Sequence, residues 1–438
     1  IYRFIHMKSF FRKLRYIIPD KPRLRYNISC GTNTFSEILI ALRNLLSFNV
    51  NKKFDVIKDY ENKFASVTGT DYAFSFGAGR MGLYVILEAL DIKKDDEVII
   101  PAYTCVVVPN AIIYHGAKPV YVDIEPQMFN IDVSKIESSI TSKTKAIYAQ
   151  HTFGVPCNVK KICEIADRHN LHVIEDGAHA LGSLADGNPV GSLSDVAFFS
   201  TDRTKTISTH VGGMVVTNNT IIAEKIKLIQ KNCSFLSSYT TRKILITFIF
   251  EYIFLSPNLL WFGRVIQNIM IKTRMLFYFS DELKTSKPKT YPFPSRFSSA
   301  LAEIGIKQLN RLEKNIKHRK KIADYLEYRI KWNKNHKNVI NNSVLLRYSF
   351  IVDDRSKFEV LFQNHFDLGV WYTSVVHGRD INLNSVGYKI GKCPVAEKVA
   401  NHIVNFPTHS QIPINILEKE LDKNWNWLQK HIVNDFNI

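Results

Sequence analysis

Residues 172–217 read HVIEDGAHALGSLADGNPVGSLSDVAFFSTDRTKTISTHVGGMVVT, and the order of features in this stretch decides the fold. HVIE (172–175) and VAFF (196–199) are short apolar runs flanked by turn residues, which predicts buried strands. Asp176 follows the first run directly. A glycine-bearing loop leads to the second run, which passes through Ser200 to Lys205 in the spacing Ser-x4-Lys, and a Gly212–Gly213 step then enters MVVT. One aspartate and one lysine prove nothing alone. In this order the aspartate falls at the carboxyl end of a predicted strand and the lysine just beyond another. Ligands gather there in parallel α/β sheets.

The same alternation extends outward. EVII (97–100), PVYVDI (119–124) and AIYAQ (146–150) are further predicted strands. Tyr60–Val67, Gly82–Leu90 and Lys160–His169 are predicted helices, the last from the spacing of Ile162, Ile165 and Ala166. Strands alternating with helices imply a mainly parallel α/β sheet. Before the second helix, GAGRMG (77–82) forms a glycine-rich turn whose backbone N–H groups suit an anion.

Residues 232–292 break this pattern. ILITFIFEYIFLSPNLLWF (244–262) is long enough to suggest a membrane span, but Glu251 sits near its middle and Pro257 interrupts it. A hairpin of two helices fits better, buried in the core or a dimer contact, or laid on a membrane surface; a true span is the third reading. Beyond Ser295 the chain reads as helix with a basic outer face, and YSFIV (348–352) as a strand of a smaller α/β domain. The expected division is a basic N-terminal segment at 1–28, a large domain at 29–310 carrying the 232–292 insert, and a small domain at 311–438.

The 438 residues carry a formal net charge of +18, with 45% hydrophobic and 22% charged residues, a globular balance. The first 28 residues hold eight basic side chains against Asp20, a net of +7, among aromatic residues. This segment is read as a solvated extension, a membrane-surface contact or a nucleic-acid contact; no nucleic-acid-binding signature supports the last. The chain opens on Ile1, and Met7 is the expected start. Six scattered cysteines without a C-x-x-C pair or metal-ligand spacing suit a reduced, cytoplasmic compartment, and no metal is expected.

Pyridoxal-phosphate chemistry requires an amine to bond the cofactor, a carboxylate to keep its ring nitrogen protonated, and a phosphate cradle. A lysine desolvated in a cleft loses basicity and becomes nucleophilic, which suits Lys205; Asp176 suits the carboxylate.

VIEDGAHALGS, SDVAFFSTDRTK and VGGMVVT resemble the signature of the nucleotide-sugar aminotransferase family of the DegT/StrS type, a pyridoxal-phosphate family of fold type I. The similarity covers roughly residues 55–220 and resumes over about 296–425, through RFSSALAEIGIKQL and CPVAEKVANHIVNFPTH. The resemblance implies Lys205 as the Schiff-base lysine and proton-moving base, Asp176 on the ring nitrogen, and Ser200, Gly79 and Arg80 at the phosphate. His179 stands where the family has glutamine, near the ring, and is read as a contact to the cofactor's O3′ region, a proton-transfer group or a packing histidine. Cys105 stands where an aromatic stacker is common, with Tyr103 as a substitute. The asparagine that many members lend to the neighbouring subunit is replaced around Pro294, and the TDR of STDRTK is unusual.

The implied activity is transfer of an amino group from glutamate to a nucleotide-linked keto-sugar, for surface polysaccharide synthesis, by a homodimer. Members with histidine in place of the lysine are dehydratases; position 205 is lysine, which favours transamination. Two alternatives stay open. One is a pyridoxal-phosphate sugar dehydratase. The other is an inert, membrane-associated member of the fold that touches the membrane through 1–28 and 232–292.

Overall fold

In a computed structural model of the chain, residues 24–29, 31–279, 286–331, 340–368, 371–378 and 382–434 are described. Met7, Cys30 and most of the basic segment lie outside the described residues. Residues 25–27 are packed into the fold: Tyr26 is buried, bridges Phe366, and donates its backbone N–H to the His365 carbonyl (2.8 Å).

Helices α1 (Phe35–Leu45) and α2 (Phe54–Thr68) precede strand β1 (Tyr72–Phe76), and α3 (Gly79–Ala89) follows it. Then come β2 (Glu97–Pro101), β3 (Thr104–Cys105), α4 (Val107–His115), β4 (Lys118–Val122), β5 (Thr144–Gln150), α5 (Val159–His169) and β6 (His172–Asp176). A small hairpin, β7 (Leu184–Ala185) and β8 (Asn188–Pro189), leads to β9 (Val196–Ser200) and β10 (Gly213–Thr217). The predicted strands are observed within one or two residues. The second predicted helix starts earlier than expected, so Gly79 and Arg80 form its first turn.

After β10 come α6 (Thr220–Asn232), β11 (Ser234–Phe235), α7 (Ser238–Phe254) and α8 (Leu260–Lys272), then β12 (Ser295–Arg296), α9 (Ser299–Leu309) and α10 (Leu312–Ile330). The C-terminal part consists of β13 (Arg347–Ile351), α11 (Arg355–Phe362), β14 (Val376–His377), α12 (Pro394–His402), β15 (Ile403–Pro407) and α13 (Ile414–His431).

Nine strands form one sheet in the order β11-β12-β1-β10-β9-β6-β5-β2-β4. From β4 to β9 all pairings are parallel; β10 runs against both β9 and β1. The sheet is therefore mixed but mostly parallel, with helices on both faces. Its central strands are apolar on both sides, and the alternation sorts them into two cores. Val98, Ile100, Ala146, Tyr148, Ile174 and Phe198 join α3 and α4 on one face. Ile99, Ile147, Ala149, Val173, Ala197 and Phe199 join α1, α2, α5 and α9 on the other. The first core continues into the C-terminal part through Phe350, Phe358 and Phe406. β14 pairs parallel with β3, tying that part to the loop after β2.

The segment 244–262 is a helical hairpin rather than one span: α7 ends at Phe254, and Pro257 lies in the turn before α8. No helix among the described residues is long and apolar enough to cross a membrane. α7 buries Ile244, Leu245 and Phe248 in the second core, and Glu251 is 1% exposed. α8 faces inward with Gly263 and Gln267 and leaves Trp261, Phe262, Val265 and Ile269 exposed. A Cβ on Gly263 would lie 1.8 Å from the Phe254 carbonyl oxygen, so glycine lets the two helices meet closely.

Candidate active site

Tyr148, Gln150, Ile174, Asp176, Phe198 and Ser200 lie at alternate positions of three adjacent strands, so they share one face and one end of the sheet. Above that end is a cavity of about 370 Å³, lined by Gly79, Arg80, Cys105, Asp176, His179, Ser200 and Lys205, and roofed by Trp371, Tyr372 and His377 of the C-terminal part. Of the seven residues singled out in the sequence as site candidates, six therefore line one cavity. Tyr103 is not among the lining residues. It is fully buried beneath them, and its hydroxyl bridges the backbone of Tyr372, donating to the carbonyl (3.0 Å) and accepting from the N–H (2.7 Å). It braces the cavity roof, while Cys105 holds the position on the wall.

Asp176 ends β6 and is nearly buried. Its Oδ2 accepts the Tyr148 hydroxyl at 2.6 Å, and its Oδ1 accepts the Ala178 N–H at 2.8 Å. Burial pushes its pKa up, against these two hydrogen bonds and the positive charge of Lys205. A cation placed beside it would relieve that penalty.

Lys205 sits in the loop between β9 and β10. The loop is pinned at its base, where the Thr201 hydroxyl meets that of Thr209 (2.7 Å) and the Thr209 N–H reaches the Thr201 carbonyl (2.9 Å). Its far side is held by Asn315, whose amide donates to the Thr206 carbonyl. Lys205 Nζ lies 5.1 Å from the Trp371 ring centre. Burial lowers its pKa, opposed by Asp202, Cys105 and Asp176. The amine is accordingly more readily deprotonated than an ordinary lysine.

The first turn of α3, with Gly79 and Arg80, borders the cavity, and Ala78 before it provides no side-chain cap. The approach is close. A Cβ on Gly79 would lie 3.1 Å from Ser200 Cβ, and one on Gly213 would lie 2.5 Å from the Ala78 carbonyl carbon. Glycine at both positions lets the helix N-terminus abut β9 and β10 beside Ser200, forming a cradle for a small anion.

His179 is sandwiched between Phe153 (6.1 Å between centroids, 8° between planes) and Trp371 (5.7 Å, 21°). Its Nδ1 accepts the Phe153 N–H at 3.3 Å, which places the proton on Nε2, 3.5 Å from the Tyr372 hydroxyl. Burial, then the charges of Lys205 and Arg347, push its pKa well below the ordinary value, so it is neutral.

Several residues in or beside the cavity carry no sequence signal. Tyr148 lay in a predicted strand, and its place beside Asp176 follows only from the parallel register that sets it opposite Ile174. Trp371, Tyr372 and His377 come from a part of the chain without a motif. Phe277, Tyr278 and Phe279, just after α8, form another wall: Arg80 lies 4.5 Å over the Phe279 ring and Arg203 lies 4.7 Å over the Tyr278 ring.

A profile of the DegT/DnrJ/EryC1/StrS aminotransferase family matches residues 34–245 and 268–417, leaving 246–267 between the two stretches. GDP-perosamine synthase of Escherichia coli O157:H7 is 43% identical over 176 residues, covering 40% of this chain and 48% of that protein. The dTDP-3-amino-3,6-dideoxy-alpha-D-galactopyranose transaminase of Aneurinibacillus thermoaerophilus is 41% identical over 175 residues, covering 40% and 48%. The chain spans about half the length of the curated relatives it matches. Among solved structures, an aminotransferase from Psychrobacter cryohalolentis superposes with a TM-score of 0.69 at 22% identity, covering 91% of this chain and 98% of that one. DesV of S. venezuelae superposes at 0.71 and 21%, covering 93% and 99%. These two likenesses establish the fold.

Proposed function

Because the chain belongs to the DegT/DnrJ/EryC1/StrS aminotransferase family, we propose that it is a pyridoxal-phosphate-dependent aminotransferase acting on a nucleotide-linked keto-sugar, with glutamate as amino donor. The single observation that carries this reading is the convergence of Asp176, Lys205 and the uncapped N-terminus of α3 on one cavity.

The residues present fit the cofactor. The glycine-lined cradle of Gly79 and Gly213 with Ser200 suits its phosphate, Asp176 its ring nitrogen, and Lys205 Nζ its carbonyl carbon. When bound, pyridoxal phosphate supplies the electron sink that lets a carbon–nitrogen bond be exchanged between two substrates. Asp176, held by Tyr148 and the Ala178 N–H, keeps one carboxylate oriented into the cavity. Lys205, with its lowered basicity, can take up and return a proton at Nζ. His179 packs as a neutral ring beside both. Lysine at position 205 also distinguishes this reading from sugar dehydration.

The relatives' names supply the substrate class. One makes GDP-perosamine and another is a dTDP-amino-sugar transaminase. A homodimer, cytoplasmic placement, a role in surface polysaccharide synthesis and a large domain over 29–310 with a small one over 311–438 belong to the same proposal. Peripheral membrane contact would rest on the exposed Trp261, Phe262, Val265 and Ile269, and co-sedimentation with anionic liposomes tests it.

The test of the activity is spectroscopic. Purified protein given pyridoxal phosphate is expected to show the visible band of a lysine-bound cofactor, absent in Lys205→Ala, and glutamate is expected to bleach it. A protein that shows no such band after cofactor addition overturns the proposal.

A further inference from the structure

Arg203, in the unusual TDR step two residues before Lys205, is not free on the cavity wall. Its Nη1 donates to Glu251 Oε1 at 2.9 Å, and its guanidinium lies over Tyr278. Glu251 in turn accepts the Tyr278 hydroxyl (2.8 Å) and lies 3.5 Å from His210 Nδ1, at the far end of the same loop. Tyr278 accepts from Gln267 of α8 (2.7 Å). Glu251 and Gln267 both fall within 246–267, the stretch between the two family-matched segments. This chain's own hairpin therefore fixes a side chain on the loop that carries Lys205.

A carboxylate buried in α7 costs free energy unless a cation meets it, and Arg203 is the guanidinium that does so. The Glu251 side chain is fully buried while that of Arg203 is 32% exposed. One end of the pair is sunk in the hairpin and the other reaches the cavity. Burial works against the Arg203 charge, but Glu251 and Asp202 outweigh it and keep the guanidinium protonated. A guanidinium has five N–H donors, and its bond to Glu251 uses one of them. Arg80 lies over the adjacent ring of Phe279, so the hairpin's trailing segment places two guanidinium groups on one cavity wall.

We infer that Arg203, positioned by Glu251 and Tyr278, is a phosphoryl-binding residue of this cavity, so that the hairpin completes the anion end of the site within a single chain. The inference rests on the proposed function for its ligand class, a phosphate ester or a diphosphate. Two sources share that chemistry: the cofactor's phosphate and the diphosphate of the nucleotide sugar.

The experiment separates them and keeps folding apart from binding. Cofactor-free protein is titrated with pyridoxal phosphate and with pyridoxal, and cofactor-loaded protein with GDP and with guanosine, by calorimetry. The proteins are wild type, Arg203→Lys, and the double variant Arg203→Met with Glu251→Leu, which replaces the buried pair by apolar groups and preserves packing. Thermal melting confirms that each is folded. If the cofactor phosphate is the ligand, the preference for pyridoxal phosphate over pyridoxal falls about tenfold or more in the double variant, the effect of one charge-assisted hydrogen bond. If the diphosphate is the ligand, the preference for GDP over guanosine falls by that factor. A folded double variant that keeps both preferences overturns the inference. A wild type that binds pyridoxal phosphate without a lysine-bound band overturns the proposed reaction instead, and leaves the phosphoryl comparison readable.

Discussion

The Tyr148 hydroxyl donates to Asp176 Oδ2 across 2.6 Å, joining neighbouring strands of the sheet at the floor of the cavity. Burial raises the Asp176 pKa and this bond lowers it, so Tyr148→Phe should raise it further. A carboxylate whose folded pKa lies above its unfolded value is the harder to keep ionised as pH falls. The acidic limb of the kcat/KM profile should therefore move to higher pH in Tyr148→Phe, by about one unit, or ~1.4 kcal/mol. A pH–rate profile whose acidic limb stays in place refutes this role for Tyr148.

Lys205 makes a prediction about stability rather than rate. Its folded pKa lies below that of an unfolded lysine, so the unfolded chain holds more protons between the two values. Stability rises with pH through that window, and the penalty is fully present below it. Cofactor-free Lys205→Met should thus melt higher than wild type at neutral pH, by a gain of order 1 kcal/mol. The gain should shrink as pH climbs toward about 10.4, the ordinary lysine value. Calorimetric melts at several pH values check this; a variant less stable than wild type at neutral pH contradicts it.

His179 is held neutral by burial between two aromatic rings and is expected to act by packing. Glutamine can also accept the Phe153 N–H, so His179→Gln should lower kcat by less than about tenfold, the loss expected from one imperfectly replaced neutral contact. No limb of the pH profile should disappear. Steady-state rates across the neutral range decide it: a limb that vanishes would make His179 a proton-transfer group.

Much of this site could be read from the sequence because strand periodicity carries it. Asp176 and Ser200 fall at the ends of apolar runs, and alternation alone puts them on the face of Ile174 and Phe198. The second face of each strand is equally apolar, so the sequence did not say which side holds the cavity. Tyr103 lies off the cavity lining for a related reason: an aromatic beside Cys105 looks like a ring-stacker from the sequence, while its hydroxyl is taken up by the Tyr372 backbone. The Trp371 roof and the Arg203–Glu251 pair join residues far apart in the chain, and no local pattern encodes such contacts. The hairpin itself was legible, because Pro257 and Glu251 are physically unsuited to a single span.

Gly213 offers a test of the cradle that leaves every functional group in place. Its backbone conformation does not require glycine, but a Cβ would meet the Ala78 carbonyl at 2.5 Å. Gly213→Ala should displace the first turn of α3, cost about 1–3 kcal/mol of stability, and weaken pyridoxal-phosphate binding more than pyridoxal binding. Equal weakening of both ligands in titrations would show that the cradle does not serve the phosphate.

β10 is the reversed strand lodged between β9 and β1, and its placement orders the chain's assembly in time. β1 (Tyr72–Phe76) emerges early in synthesis, yet it pairs along Gly213–Thr217, so this edge stays open until the loop bearing Lys205 has been made. Closing that separation is a non-local event of the kind that slows folding. When β10 inserts, it brings Gly213 against Ala78 and closes the loop base at Thr201 in the same movement. A ribosome-bound chain ending before Gly213 would thus lack the closed site, while one extending past Thr217 has every strand from β1 to β10 available to seal it.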